Sequence, residues 1–321
     1  MSYGMDARIG ISFQNSYGTA NTASMHWLEP VSESVVLNKA QNTQKGVRGI
    51  YDKGQLYEGV NTIAGDIVIE ARANSLGVLL TSVCNSPTTV TSAALYTHTF
   101  KPRAADHSLP SAERPFTYHK FLGDTGSAQQ YSDMNGTALE LSINNGELMT
   151  ARLNMVGGSF DRSAAIAATY GTTEPLDWSI SSMSFAGVGV SNLRQFTLTQ
   201  DNMLEVQHVI DTDKFPARIK RTDMRSINVA GTILFDDQAQ ADIFLAQTTQ
   251  AVKLYMRGNT AVQSGYYDAL LVDIPALRYT EFPLVIGGPG QVEVSFKAEA
   301  TYHPSSATAI AYVLACGKAG F

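Results

Sequence analysis

The chain has 321 residues, only 16% of them charged, and a net charge of −6. That length leaves room for one large or two ordinary domains, each with a real core. The charge divides as −2 over residues 1–172 and −4 over 173–321, which excludes the basic surplus expected of a protein that grips nucleic acid. Gly, Ser, Thr and Asn are plentiful between short apolar runs, a β-rich profile. The N-terminal MSYGMDARIG has no basic stretch followed by an apolar core, so no signal peptide is expected. No apolar run approaches the ~20 residues needed to cross a bilayer. Cys84 and Cys316 lack CxxC spacing and read as buried thiols in a cytoplasm-like compartment.

In chain order, Ile9–Ala20 alternates weakly and breaks at Gly18. Trp27–Val31 and Ser34–Leu37 read as a strand entering the first sheet. Residues 38–59 then run polar, with Gly46, Gly49, Gly54 and Gly59 among isolated apolar side chains. A stretch of that length without a core pattern is a surface loop or a functional excursion. Val47, Ile50, Tyr51 and Tyr57 favour a hairpin arm that orders against a neighbouring subunit.

Val60–Val83 carries the motif on which the domain reading rests. Ile67 and Ile69 alternate with Asp66, Val68 and Glu70, the period of a half-buried strand. A helix should follow, capped by Asn74, with Leu76, Leu79, Leu80 and Val83 on one stripe. The same unit returns about 165 residues later in Ile227–Thr249. Ala64-Gly65 matches Ala230-Gly231, Ile67/Ile69 matches Ile233/Phe235, and Glu70 falls on Asp236, ahead of a helix with Ala239, Ile243 and Ala246 on one face. A strand–helix unit recurring at half the chain length predicts two copies of one domain.

Between the copies, Tyr96–Phe100 and Phe116–Leu122 read as strands. Ala138–Ile143 and Thr150–Val156 read as a hairpin turning on Asn144-Asn145-Gly146. Strand signal falls away through Arg162–Leu176, placing a boundary near Thr172. The second half supplies Phe185–Val190, Leu193–Thr199, Met203–Ile210, Phe215–Ile219, Val252–Met256 and Ala269–Ile274. A last hairpin runs Ala276–Val285, turns on Gly287–Gly290 and returns as Val292–Thr301. The expected fold is therefore mainly β: two tandem antiparallel sandwiches or small barrels, residues 1–172 and 173–321, each with one packed helix.

No catalytic residue, cofactor site or metal site is expected. Asp124-Thr125-Gly126 matches the aspartic-protease triplet, but the second half has no partner triplet, and a polar turn is the better reading. The six histidines lack metal-ligand spacing. No nucleophile elbow or phosphate loop is present. Arg218, Lys220, Arg221 and Arg225 sit among Asp211, Asp213 and Asp223, and pair with carboxylates more readily than with phosphates.

Ile11–Ala20 ending in SYGTA, then Trp27–Ser34, the polar Gly-rich arm and Gly65-Asp66-Ile67, resembles the major tail tube proteins of long-tailed bacteriophages. His98-Thr99-Phe100, Asp201-Asn202, Val229-Ala230-Gly231 and a closing Phe-x-Ala strand extend the likeness over nearly the whole chain. The resemblance implies a subunit whose inner sheets join around a ring and whose arm stacks ring on ring. For the tandem-domain type it implies homotrimeric rings with pseudo-sixfold symmetry. It implies the tape measure protein, the tail terminator and baseplate or distal tail proteins as partners, and a lumen that passes DNA without sequence-specific binding. It places the protein in the virion tail, assembled in the host cytoplasm and never inserted in a membrane. Asp66, Glu70 and Asp236 are candidates for the lumen or for a subunit interface. Two other readings stand beside it. One is a decoration or baseplate component. The other is a carbohydrate-binding β-sandwich using Trp178 and Tyr266-Tyr267.

Overall fold

The computed structural model describes residues 6–45, 52, 55–84, 86–103, 114–123, 127–210, 213–235, 238–285 and 291–321. It is mainly β, with two α-helices among the described residues. The first half of the chain contributes β1 (Arg8–Phe13), β2 (His26–Leu28), β3 (Pro30–Glu33), β4 (Val36–Thr43), β5 (Leu56–Glu70) and α1 (Ala73–Cys84). After them come β6 (Thr88–Ser92), β7 (Leu95–Phe100), β8 (Phe116–Phe121), β9 (Ser127–Asn144), β10 (Thr150–Gly157) and β11 (Ser159–Ala164). The second half contributes β12 (Ser181–Phe185), β13 (Val188–Val190), β14 (Leu193–Asp201), β15 (Leu204–Gln207), β16 (Arg218–Arg221) and β17 (Ser226–Leu234). It closes with α2 (Ala239–Leu245), β18 (Gln250–Gln263), β19 (Tyr266–Glu281), β20 (Glu293–Ala300) and β21 (Ala311–Cys316).

The pairing graphs of the two halves are alike over eight strands each, β3, β6, β7, β15 and β16 standing outside the likeness. In the first, β2 pairs β1, β1 pairs β8, β8 pairs the start of β9, and β11 takes the other edge of that stretch. The strand β9 then crosses to a second sheet, where its end pairs β10, β10 pairs β5, and β5 carries β3 and β4. In the second half β13, β12, β18, the start of β19 and β21 repeat the first layer. The end of β19, then β20, β17 and β14, repeat the second. The matched glycines sit at matched places. Gly65 lies opposite Val35 so closely that a Cβ would run into the Val35 backbone, and a Cβ on Gly231 would come within 2.7 Å of the Gln195 carbonyl.

The halves are joined edge to edge. Strand β14 pairs β9 from Gln195↔Asn144 to Asp201↔Ala138. One spanning sheet therefore runs β4–β5–β10–β9–β14–β17–β20–β19, with a covering sheet behind each half. The hairpin β6–β7 crosses over as well, β7 pairing β21 and so extending the second covering sheet.

Both helices depart from the expected pattern. Leu76, Leu79, Leu80 and Val83 of α1 are buried, but so are Val78, Thr81, Ser82 and Cys84. The helix is enclosed on all sides because β21, β7 and the C-terminal residues cover its far face. Phe321 lies against Gly77 and packs edge-on to His98 with ring centres 5.0 Å apart. Asn74 does not cap α1; the Arg72 carbonyl accepts from Ser75 N and Leu76 N at 3.1 and 2.8 Å. In α2 the buried residue is Ala241, with Ile243 and Phe244 half-buried, while Ala239 and Ala246 are exposed. Phe244 faces Phe282 (ring centres 6.1 Å apart), and the larger ring sets which side turns inward.

Several strand bounds differ from the sequence reading. Phe185–Val190 is a tight hairpin, not a strand: Ala186 and Gly187 both take positive φ, 50° and 85°, between β12 and β13. Trp27–Val31 divides between sheets, β2 pairing β1 and β3 pairing β5. β9, β18 and β19 are far longer than their apolar cores, because each runs on through a polar stretch held by its neighbours. Asn144-Asn145-Gly146 forms the expected turn, with Gly146 at φ 88°.

Candidate assembly surfaces

The exposed face of the spanning sheet gathers the polar partners of each alternating strand. In β5, Ile63, Ile67 and Ile69 are buried, while Asp66, Val68 and Glu70 lie on the opposite face, as their spacing requires. Around them the face presents Glu140 from β9, Asp201 from β14, and Glu293 and Glu299 from β20, against Arg152, Arg278 and Lys297. The cations are tied up locally. Arg152 bonds Asp66 at 2.8 Å, Lys297 pairs with Glu281 at 3.0 Å, and Arg278 donates to Gln247. Glu70, Glu140 and Glu299 have no ion-pair partner among the described residues. Between the charges run hydroxyl rungs, Ser142 to Thr197 at 3.4 Å and Thr232 to Ser295 at 3.3 Å. This face can repel a polyanion: Arg152 and Lys297 are ion-paired, and Arg278 is held by a neutral amide.

Each end of the spanning sheet is an open edge. At one end β3 and β4 pair, among the described residues, only with β5. At the other, Gln250↔Leu277 is the last rung of β18 on β19, and that side of Arg278–Val285 has no strand partner among the described residues. Both edges carry exposed aliphatic residues: Val31 and Val36 at the first, Leu284 and Val285 at the second. Open strand edges with apolar side chains are pairing sites unless something covers them.

The arm is the third surface. Its base is a two-stranded ribbon, β4 against the first part of β5, with Leu56, Tyr57 and Val60 exposed. Val47, Ile50 and Tyr51 lie outside the described residues, as do Asp236 and Asp124. The connection at the matching place in the second half folds into the β15–β16 hairpin. It braces the arm, since Asn61 N donates to the Lys214 carbonyl at 2.8 Å and Lys214 pairs with Glu58. The basic cluster of that hairpin is used structurally: Arg221 Nε donates to the Asn202 carbonyl and Arg225 Nε to Asn202 Oδ1, at 2.9 and 2.8 Å.

A buried polar lock between the halves had no signal in the sequence beyond the Asp201-Asn202 pair. Asn202 Nδ2 donates to the Val83 and Gly136 carbonyls at 2.9 and 3.4 Å. Gln200 reaches the same Val83 carbonyl and accepts from the Tyr312 hydroxyl at 3.0 Å. Two side chains of the second half thus satisfy the Val83 carbonyl in the last turn of the helix of the first.

Among the described residues no group of three or more His, Cys, Asp or Glu could hold a metal ion, and no helix is long and apolar enough to cross a membrane. A family model described as phage tail tube protein matches residues 4–300. No curated protein matches the chain.

Proposed function

The chain belongs to the phage tail tube protein family, and we propose that it polymerises into stacked rings whose lumen holds the tape measure protein and conducts DNA during ejection. The observation that carries this reading is the spanning sheet, whose two halves meet edge to edge within one chain and whose outer edges stay open. Repeating that junction between chains closes the sheet into a barrel and removes the exposed edges. Residues 1–172 and 173–321 act as two tube domains, so three chains make a ring with pseudo-sixfold symmetry.

The carboxylate-rich face of the spanning sheet lines the bore, where like charge keeps DNA from sticking. The ribbon at residues 38–59 reaches the neighbouring ring. The ends of the tube meet the tail terminator and the baseplate or distal tail proteins. Electron microscopy of the purified protein tests the reading: tubes with a regular axial repeat are expected, and a protein that stays monomeric at high concentration overturns it.

A further inference from the structure

A cavity of about 240 Å³ collects residues from distant parts of the chain. Its walls include His26 in β2 and Glu29 just after it, Arg72 and Asn74 at the start of α1, Tyr170, and Lys318 beyond β21. Arg72 is satisfied there. Its Nη2 meets Glu29 Oε2 at 3.0 Å, and its Nη1 donates to the Thr173 carbonyl at 3.0 Å. Lys318 has no such balance. Its Nζ donates to His26 Nδ1 at 3.0 Å and stands 4.8 Å from the centre of the Phe321 ring. Among the described residues no carboxylate pairs with it.

His26 is a neutral acceptor, because burial, with the positive charges of Lys318 and Arg114 added, pushes its pKa down to about 4. Arg72 and Glu29 cancel, so the cavity keeps one surplus cation, and burial lowers the pKa of that ammonium as well. Asn74 adds a second demand: its Oδ1 is buried and has no hydrogen-bond partner among the described residues. A buried acceptor without a partner forfeits the bonds it had in water. A carboxylate meets the first demand and a hydroxyl the second. An amino acid would bring its own ammonium and leave the surplus charge in place. The volume lies below the ~300–1,000 Å³ typical of pockets for drug-sized ligands, so the molecule that carries both groups is small.

We infer that this cavity binds a small hydroxycarboxylate, its carboxylate on the Lys318 ammonium and its hydroxyl donating to Asn74 Oδ1. The site does not rest on the tube reading and goes beyond it. The bound molecule adds an ionic tie between the last residues of the chain and the start of α1, beside the packing of Phe321 on Gly77. Ligand should therefore stabilise the folded chain in proportion to its occupancy.

The test is a calorimetric titration of the full chain with glycolate, repeated with acetate and with sulfate, and followed by melting temperatures at each ligand concentration. Glycolate should bind saturably and raise the melting temperature. Acetate lacks the hydroxyl and leaves Asn74 Oδ1 without a partner, so it should bind about tenfold more weakly. That comparison needs no variant. Asn74→Ala should bring glycolate down to the level of acetate, and Lys318→Met, which keeps an apolar stem in place, should abolish binding of both. No binding of glycolate by the parent, acetate binding as tightly as glycolate, or binding that survives Lys318→Met overturns the site. Sulfate binding as tightly as glycolate marks an adventitious ion only, and overturns it too. None of these outcomes reads assembly, so the tube reading stands or falls on its own experiment.

Discussion

Asn202 and Gln200 carry more of the molecule than their place in the sequence announces. Both are fully buried, and together they hold the Val83 carbonyl, the Tyr312 hydroxyl and Arg225. Replacing Asn202 by Ala removes the shorter of the two bonds to the Val83 carbonyl, the bond to the Gly136 carbonyl and the acceptor of Arg225 Nε, and should cost about 2–3 kcal/mol in denaturant melts. Asp268 acts in the opposite sense. It is 4% exposed, one of its carboxylate oxygens is unpartnered, and burial pushes its pKa up to about 6, only partly offset by the Gly317 amide. A carboxyl whose folded pKa exceeds its unfolded value holds extra protons when folded, so stability falls as pH rises from about 4 to 6 and stays lower above. Asp268→Asn should therefore raise the melting temperature at pH 7 and change it little at pH 4, by about 1–3 kcal/mol at the higher pH. Equal gains at both pH values would remove the ionisation argument. On the face proposed to line the bore, Asp66→Lys with Glu70→Lys should allow assembly while slowing DNA ejection at low salt, as phosphates are retained. Unchanged ejection would take these residues off the lumen.

Elements were legible where one face is buried and illegible where a neighbour does the holding. The alternation of Asp66–Glu70 on β5 and the Asn-Gly turn of β9–β10 follow from local chemistry, and both stand as read. The polar first part of β9, Ser127–Thr137, has no such pattern; it is a strand because β8 and β11 flank it. The same holds for α1, whose sequence shows one stripe and whose environment buries every side. Gly77 shows how context reverses a propensity. In an exposed helix Gly→Ala gains about 1 kcal/mol, but here a Cβ collides with the Phe321 ring. Gly77→Ala should destabilise the protein and free the C-terminal residues, and Phe321→Ala should relieve that cost, a coupling that a double-mutant melt reads directly. For the arm, replacing Thr43–Leu56 by a tight turn should leave a folded protein that forms rings but no stacks. Long tubes from the shortened chain would show that the arm is misassigned.

At the scale of the molecule, the strand–helix repeat seen in Ile67/Ile69 and Ile233 was a faint sign of a likeness in strand pairing that covers eight strands of each half and leaves β3, β6, β7, β15 and β16 without a counterpart. What the repeat could not announce is how the halves interlock. The β6–β7 hairpin crosses to β21, and Gln200 and Asn202 cap the opposite half's helix, contacts between residues more than 100 positions apart. An end-on projection average of the assembled tube, with the mass per ring, tests the central claim most directly. Three chains per ring, with outer features repeating three times and an inner wall that repeats nearly six, is the predicted result. Six chains per ring with true sixfold symmetry would contradict both the stoichiometry and the reading of the two halves as successive sixths of one barrel.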